Sequence, residues 1–407
     1  MNCVYENASQ CCGCAACSFA CPRHAIHMEE RGGFKHRFPK IDPVLCVDCG
    51  RCREVCPMRR PAERRKPIQA FAAQALDSTR LMKASSGGVF SLLAKQVLAE
   101  GGAVCGSVME RREDGFEVKH ILIRSLDGLE ALQGSKYVQS NMDELYGEIR
   151  KALQKNQKVL LTGTPCQVSA VRNVFHAFGD LLLTCDIICH GVPSNHVFND
   201  YVKFEEQQLS GCIQEFYFRD KQDAGWGHSG RYIVKKENRE YAVPITKENS
   251  SYYYFFHHGF FQRESCYVCP FANLERVGDL TLGDYWGVQR FNPELLTENG
   301  GPLESRKGIS CVLVNTEAGE KLIEQWNSEL RKYPISSADA AVVNTQLRSP
   351  VPQSPGRDEV LALYAHRGYP SVDRFFRKKI AGQKLKKKMI QFIPSAVKQR
   401  IKKALHL

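Results

Sequence analysis

No stretch of this 407-residue chain is apolar for long enough to cross a bilayer as a helix, and Met1 to Gln10 contain no apolar leader core. The cytoplasm is therefore the expected location. Thiols stay reduced there, so a disulfide framework is the weakest use for 18 cysteines. Acidic residues are missing from Arg374 to Leu407, where twelve Lys or Arg occur. Outside that tail 44 basic residues match the 44 Asp and Glu, so the formal +12 is local and the body is neutral. A neutral body without a recognition motif argues against nucleic acid as a partner. Tandem repeats are absent too, apart from one cysteine pattern that occurs twice. The hydrophobic share, 43%, is ordinary and leaves room for a sizeable core beyond one small module.

What is present is that doubled spacing. Cys11, Cys14, Cys17 and Cys21-Pro22 form one run, and Cys46, Cys49, Cys52 and Cys56-Pro57 repeat it 35 residues later. The pattern C-x2-C-x2-C-x3-C-P encloses 4Fe–4S clusters in bacterial two-cluster ferredoxins. Three closely pitched thiolates reach three corners of one cube, and the fourth serves the other cluster. One cluster is thus assigned to Cys11, Cys14, Cys17 and Cys56, the second to Cys46, Cys49, Cys52 and Cys21. Proline after the fourth cysteine turns the chain away from the cage. Structural zinc is the competing use of four cysteines, but it favours separated C-x2-C knuckles over repeated triplets. Cys12 falls out of register and reads as a bystander; Cys3 has no partner in the pattern either.

Residues 1–60 form this module, expected to be α+β and ferredoxin-like, and 61–67 read as a charged, proline-bounded linker. Beyond it the pattern alternates: strand 68–75, a helix opened by Ser85 to Gly88 and running to Ala99, strand 103–108. A helix over 142–154, a strand over 158–163, a helix from Thr164 to Phe178 and a strand over 181–188 follow. Alternating segments near 213–219 and 230–245, a packed aromatic helix near 249–258, and strands at 279–283 and 309–315 complete it. The expectation is an α/β body with a mixed sheet, in regions 68–155 and 156–345, followed by a basic tail over 373–407.

Four body cysteines stand apart. Cys166 lies at a strand-to-helix turn, Cys189 just past a strand end, and Cys266 and Cys269 in a C-x2-C-Pro segment. Loops after strand ends are where α/β sheets build sites, so the four could converge on one metal. Lone cysteines are among the commonest core residues, and C-x2-C alone could be half a zinc site. Cys105, Cys185, Cys212 and Cys311 sit in apolar strands and read as packing. The turns at Ser86, Gly87 and Gly88 and at Thr162 to Pro165 offer free N–H groups and a positive dipole end that suit a phosphate, although such turns also serve simply as caps. Clusters move one electron and most organic substrates take two, so a flavin beside them would join the two regimes.

Six segments, Ser85–Ala94, Gly134–Gln139, Gly163–Gln167, Cys189–Ser194, Cys266–Pro270 and Asp279–Gly287, occur in an order that resembles the coenzyme F420 hydrogenase/dehydrogenase family of beta subunits, with a ferredoxin module fused in front. The resemblance spans roughly residues 5–330. It implies an FAD in the α/β body beside a third 4Fe–4S cluster held by Cys166, Cys189, Cys266 and Cys269. Carried over by motif, Ser86, Gly87, Gly88, Ser135, Lys136, Tyr137, Thr162 and Thr164 become FAD-site residues. Lys136 reads either as a phosphate or ring contact or as a solvated surface lysine. Asp284 and Trp286 would line the cavity, with core packing the alternative for Trp286. No catalytic acid or base is assigned; His190 is a candidate proton donor, against an ordinary backbone hydrogen bond.

The function this implies is an iron–sulfur flavoprotein oxidoreductase, exchanging electrons with ferredoxin or another redox protein and with a small-molecule acceptor or deazaflavin coenzyme. The alternative is an electron-transfer subunit without a substrate of its own, of the kind that accompanies surface-polysaccharide synthesis. The family does not specify the substrate. The tail reads as short amphipathic helices broken at Gly382 and Pro394, suited to an anionic membrane's inner face or an acidic partner, or equally to a solvated helix end.

Overall fold

The computed structural model describes the backbone of residues 4–391 except residue 327, with side chains through Gln383. In the cysteine module β1 (Ile26–Arg31) and β2 (His36–Ile41) pair antiparallel, Ile26 opposite Ile41 and Arg31 opposite His36. Helical turns Ala16–Ala20 and Arg51–Glu54 carry Cys17 and Cys52, the third cysteine of each run. This is the expected α+β arrangement.

The body contributes β3 (Gln69–Ala75), β4 (Ala103–Arg112), β5 (Gly115–Ile123), β6 (Val159–Gly163) and β7 (Leu182–Ile187) to one large sheet. A separate three-stranded antiparallel sheet follows: β8 (Cys212–Tyr217), β9 (Gly230–Lys236) and β10 (Arg239–Ile245). Then β11 (Leu280–Asp284), β12 (Ser310–Val314) and β13 (Leu330–Pro334) return to the large sheet, whose order is β13-β3-β12-β11-β7-β6-β4-β5. Its centre, β4, β6, β7 and β11, is parallel, and both flanks are antiparallel.

Parallel neighbours need crossovers, and helices supply them on both faces. Helix Val89–Ala99 packs Leu92, Leu93 and Val97 with Val104, Leu160 and Val312. Helices Leu145–Gln154 and Pro165–Val174 cover the opposite face, with Tyr146, Ile149, Val168 and Val171 against Val159 and Leu161. Strands covered twice become continuous apolar runs, and β12 is buried along its whole length.

An aromatic core joins the three-stranded sheet to helices Asn195–Leu209 and Ser251–His257 through Phe198, Tyr201, Phe216, Tyr252 and Phe255. The C-terminal helix, Tyr369–Gln391, closes this core with Tyr369, Val372, Phe376 and Ile380 on one face. Each such burial is worth about 1.5–3 kcal/mol, enough to hold these turns to the body. The segment expected as a tail from residue 373 therefore starts inside a docked helix, and that helix passes Gly382 unbroken. Residues 392–407, with the break expected at Pro394, lie outside the described residues. No helix among the described residues is long and apolar enough to cross a membrane.

Candidate functional site

The two cysteine runs interlock. Cys11, Cys14, Cys17 and Cys56 surround one small void, and Cys21, Cys46, Cys49 and Cys52 surround another. Each void is lined by three cysteines of one run and the last cysteine of the other. The backbone does this the same way twice. Left-handed residues stand two and four places after the first cysteine of each run: Gly13 and Ala15, then Asp48 and Gly50. The first cage is buried, whereas Cys49 of the second is exposed.

The donor chemistry fits an iron–sulfur cube. Burial pushes the Cys56 thiol up to about 11, and pushes Cys17 well above the usual thiol range. Four thiolates gathered in such a place need a cationic core to stay ionised. No group of three or more Cys, His, Asp or Glu among the described residues is gathered for a single metal ion. A four-iron cube holds its thiolates farther apart than one ion does.

The four body cysteines also approach one another. Burial raises Cys189, with added repulsion from Cys266, Cys166 and Cys269, and burial pushes Cys266 up to about 12. Cys189 accepts the Gly191 N–H at 3.4 Å. Cys166 sits in the first turn of helix Pro165–Val174, behind a capping box of Thr164 and Gln167. The Cys12 thiol beside it, with Thr164 Oγ1 at 3.2 Å, holds Cys166 down to about 7 in spite of burial. Cys12, expected as a bystander, thus lies on the wall of the first N-terminal void and on that of the large cavity described next. Its doubling of Cys11 gave no hint of this. Cys3 is outside the described residues.

That cavity, about 600 Å³, opens along the C-terminal ends of β6, β7 and β11 and beside Ser107 in the middle of β4, at the edge where open α/β sheets bind ligands. Ser86, Gly88, Ser135, Lys136, Tyr137, Thr162 and Thr164 line it, together with Cys166 and Cys189. Gly87 does not. Its N–H is donated to Ser310 Oγ at 2.9 Å, and a Cβ there would lie 2.2 Å from the Ala73 carbonyl, so it serves close packing behind the wall. Lys136 donates to Ala131 O at 3.0 Å and Gln133 O at 2.7 Å, capping a helical turn, and burial lowers it to about 7. It is neither an exposed lysine nor an unengaged cation.

Asp284 and Trp286 line the cavity as expected, and they anchor a network that no motif announces. Arg219 grips Asp284 at 2.9 and 3.3 Å, and Trp226 donates to the same carboxylate at 2.7 Å. Trp226 and Trp286 stack at 4.5 Å. Helix Ser251–His257 packs as expected, yet its last residue faces the cavity beside His190 and His228. Burial lowers His190, holds His228 to about 4 and His257 to about 2, so all three imidazoles are neutral at pH 7. Five buried polar atoms on this wall have no hydrogen-bond partner among the described residues: Ser107 Oγ, Gln133 Oε1, His190 Nε2, His228 Nδ1 and His257 Nε2. Orphaned polar atoms around a cavity of this volume fit a large polar ligand such as a dinucleotide.

Comparison with known proteins extends this geometry. The N-terminal and C-terminal family models for coenzyme F420 hydrogenase/dehydrogenase, beta subunit, match residues 70–146 and 156–335 respectively. A 4Fe-4S dicluster domain model matches residues 10–59. An F(420)H(2) dehydrogenase subunit of Methanosarcina mazei is 21% identical over 337 residues, 79% of this chain and 83% of that protein. The coenzyme F420-dependent sulfite reductase of Methanocaldococcus jannaschii is 29% identical over 322 residues, 77% of this chain and 45% of that protein. A solved chain of the F420-reducing NiFe hydrogenase complex from Methanosarcina barkeri covers 76% of this chain and 91% of its own length, at TM-score 0.43 and 18% identity.

Proposed function

Because the chain belongs to the coenzyme F420 hydrogenase/dehydrogenase family of beta subunits, and its 4Fe–4S dicluster module makes it an iron–sulfur electron-transfer protein, we propose that it is a flavin-dependent oxidoreductase linking those clusters to an organic substrate or a deazaflavin coenzyme. The observation that carries this reading is one cavity whose wall holds both the Ser86–Gly88 and Thr162–Thr164 turns and two of the four body cysteines. The helix that begins at Val89 starts on that wall, and its first N–H groups would hold a phosphate, whereas at the other turn Pro165 has no N–H and the capping box already takes the Gln167 N–H. Cys166, Cys189, Cys266 and Cys269 would hold a third 4Fe–4S cluster, with Cys12 in the gap toward the first N-terminal cage. FAD bound in the cavity would collect single electrons and deliver pairs.

The chain's own residues would do the rest. Arg219, fixed by Asp284, would present positive charge to an anionic ring. His190, His228 and His257, neutral and with free ring nitrogens, would orient the acceptor by hydrogen bonds. Electrons would enter at the second N-terminal cage, where Cys49 reaches solvent, from a ferredoxin or another redox protein. The chain would work in the cytoplasm, with the basic segment beyond Ile380 resting on the anionic inner face of the membrane. A second reading, an electron-transfer subunit without its own substrate, is favoured by the relative whose name is that of a dehydrogenase subunit.

Anaerobic purification followed by iron, sulfide and flavin analysis tests the proposal. About twelve iron atoms and one FAD per chain are expected, and Cys166→Ser should lower the iron by about four without disturbing the N-terminal module. Eight irons with no flavin would remove the third cluster and the flavin reading together, whereas iron unchanged in Cys166→Ser would mean that Cys166 is not a ligand.

A further inference from the structure

Arg219, Arg276 and Arg357 have side chains no more than 4% exposed, and each faces a carboxylate: Asp284 at 2.9 Å, Asp186 at 2.7 Å and Glu264 at 2.7 Å. Arg263 is more deeply buried, at 0% exposure, and faces no carboxylate among the described residues. Its donors go to Cys11 O, to Gln139 Oε1 at 3.2 Å, to Arg37 O at 2.7 Å and to Cys11 Sγ at 3.5 Å, and its guanidinium lies 4.0 Å from the centre of the Phe38 ring. Carbonyls and a ring solvate a guanidinium without neutralising it, and an uncompensated buried charge is costly. The groups beside it able to carry negative charge are the thiolates of the first cage, Cys11 closest, and the Cys266 thiol three residues along its own loop.

We propose that Arg263 is the internal counter-ion of the first N-terminal cluster and raises its reduction potential. The inference rests on the dicluster module, not on the flavin or the third cluster. A cube with four thiolates is anionic in both redox states and gains one more negative charge on reduction. Cys11, Cys14, Cys17 and Cys56 are only 7–9% exposed, so water does little to stabilise the added electron there. A buried cation that also donates N–H to a ligand sulfur does so instead, by the two levers of charge and hydrogen bonding that tune such clusters. The second cage is built differently: of its three lining arginines Arg23 and Arg51 are solvent-exposed and Arg53 is only half-buried, and Cys49 reaches water. Gly13 makes room for the contact. It has φ +69°, and a Cβ there would lie 2.7 Å from Arg263 Nη1.

The test uses the full chain, purified anaerobically and titrated with redox mediators while each cluster is followed by electron paramagnetic resonance. In Arg263→Gln the reduction equilibrium of one N-terminal cluster should become at least tenfold less favourable, 59 mV for a one-electron couple, while the other stays within threefold. Gln139→Glu keeps the arginine but places a carboxylate against Nη1, and should move the same potential in the same direction. Arg263→Lys keeps the charge and should shift it less than Arg263→Gln. Should Arg263→Gln fail to load iron, Gln139→Glu decides the matter. Unmoved potentials in Gln139→Glu, equal shifts of both clusters, or a lysine variant as displaced as the glutamine one would overturn the assignment.

Discussion

Asp186→Asn probes how the body cysteines are held in place. Asp186 and Arg276 are buried, with Oδ1 accepting from Arg276 Nη2 at 2.7 Å and Nε at 3.2 Å. Oδ2 accepts the N–H groups of Gly278 at 2.9 Å and Val277 at 3.2 Å. Arg276 in turn donates to Phe271 O and Asn273 O, just beyond Cys269, and to Ile187 O, two residues before Cys189. One pair therefore ties the Cys266–Cys269 loop to the end of β7. An asparagine cannot replace the carboxylate, because its NH2 would face either the guanidinium or the two backbone donors. Breaking a buried pair from one side leaves an uncompensated charge and costs about 3–5 kcal/mol. For a body of this size that is a fall of roughly 5–15 °C in melting midpoint. Anaerobic thermal unfolding followed by circular dichroism, with iron analysis of the soluble fraction, reads both consequences: a lower midpoint and, for the cluster proposed at the body cysteines, loss of its iron ahead of the N-terminal pair. Adding Arg276→Met should recover only part of the loss, since the pair also satisfies five backbone groups. A midpoint within about 2 °C of the parent, with all iron retained, would refute this reasoning.

Two other outcomes follow from the same structure. His120 is buried with Nε2 donating to Thr162 O at 3.0 Å and Nδ1 accepting from Ser140 Oγ at 2.8 Å, and burial holds it to about 4. Its folded pKa is thus depressed, so its contribution is complete above the ordinary histidine range and is lost as pH falls from about 6.5 toward 4. Between pH 7.5 and 5 the parent should lose about 2 kcal/mol more unfolding free energy than His120→Gln; equal slopes in urea titrations would contradict a neutral, buried His120. Truncation after Gln383 should leave the fold intact and abolish salt-sensitive binding to anionic vesicles, whereas truncation before Val372 should destabilise the body by several kcal/mol through loss of Val372, Phe376 and Ile380. Vesicle binding that survives the shorter truncation would remove the membrane role.

Local pattern and tertiary placement contributed in different ways. Residues with a short-range signature were legible. The strands β3, β6, β7, β11 and β12 are apolar runs because the sheet is covered on both faces, and the helices at Val89 and Pro165 announce themselves by glycine, threonine and proline at their starts. Strand β5 was not legible, since polar His120 is buried in it and interrupts the apolar signal of the strand. The docked start of the C-terminal helix was hidden by its lysines and arginines, which outnumber the Val372, Phe376 and Ile380 face.

The chain by itself determined the chemistry of the N-terminal cages, because a thiolate triplet at that pitch has few other uses and its spacing is a matter of covalent distance. Only the tertiary structure decided that Cys12 stands between the first N-terminal cage and the large cavity, that Gly87 packs behind the cavity wall, and that Arg263 has no acid beside it among the described residues. Those facts depend on groups more than a hundred residues apart along the backbone meeting in a dry interior. There a charge is defined by what surrounds it, and sequence order carries no record of those surroundings.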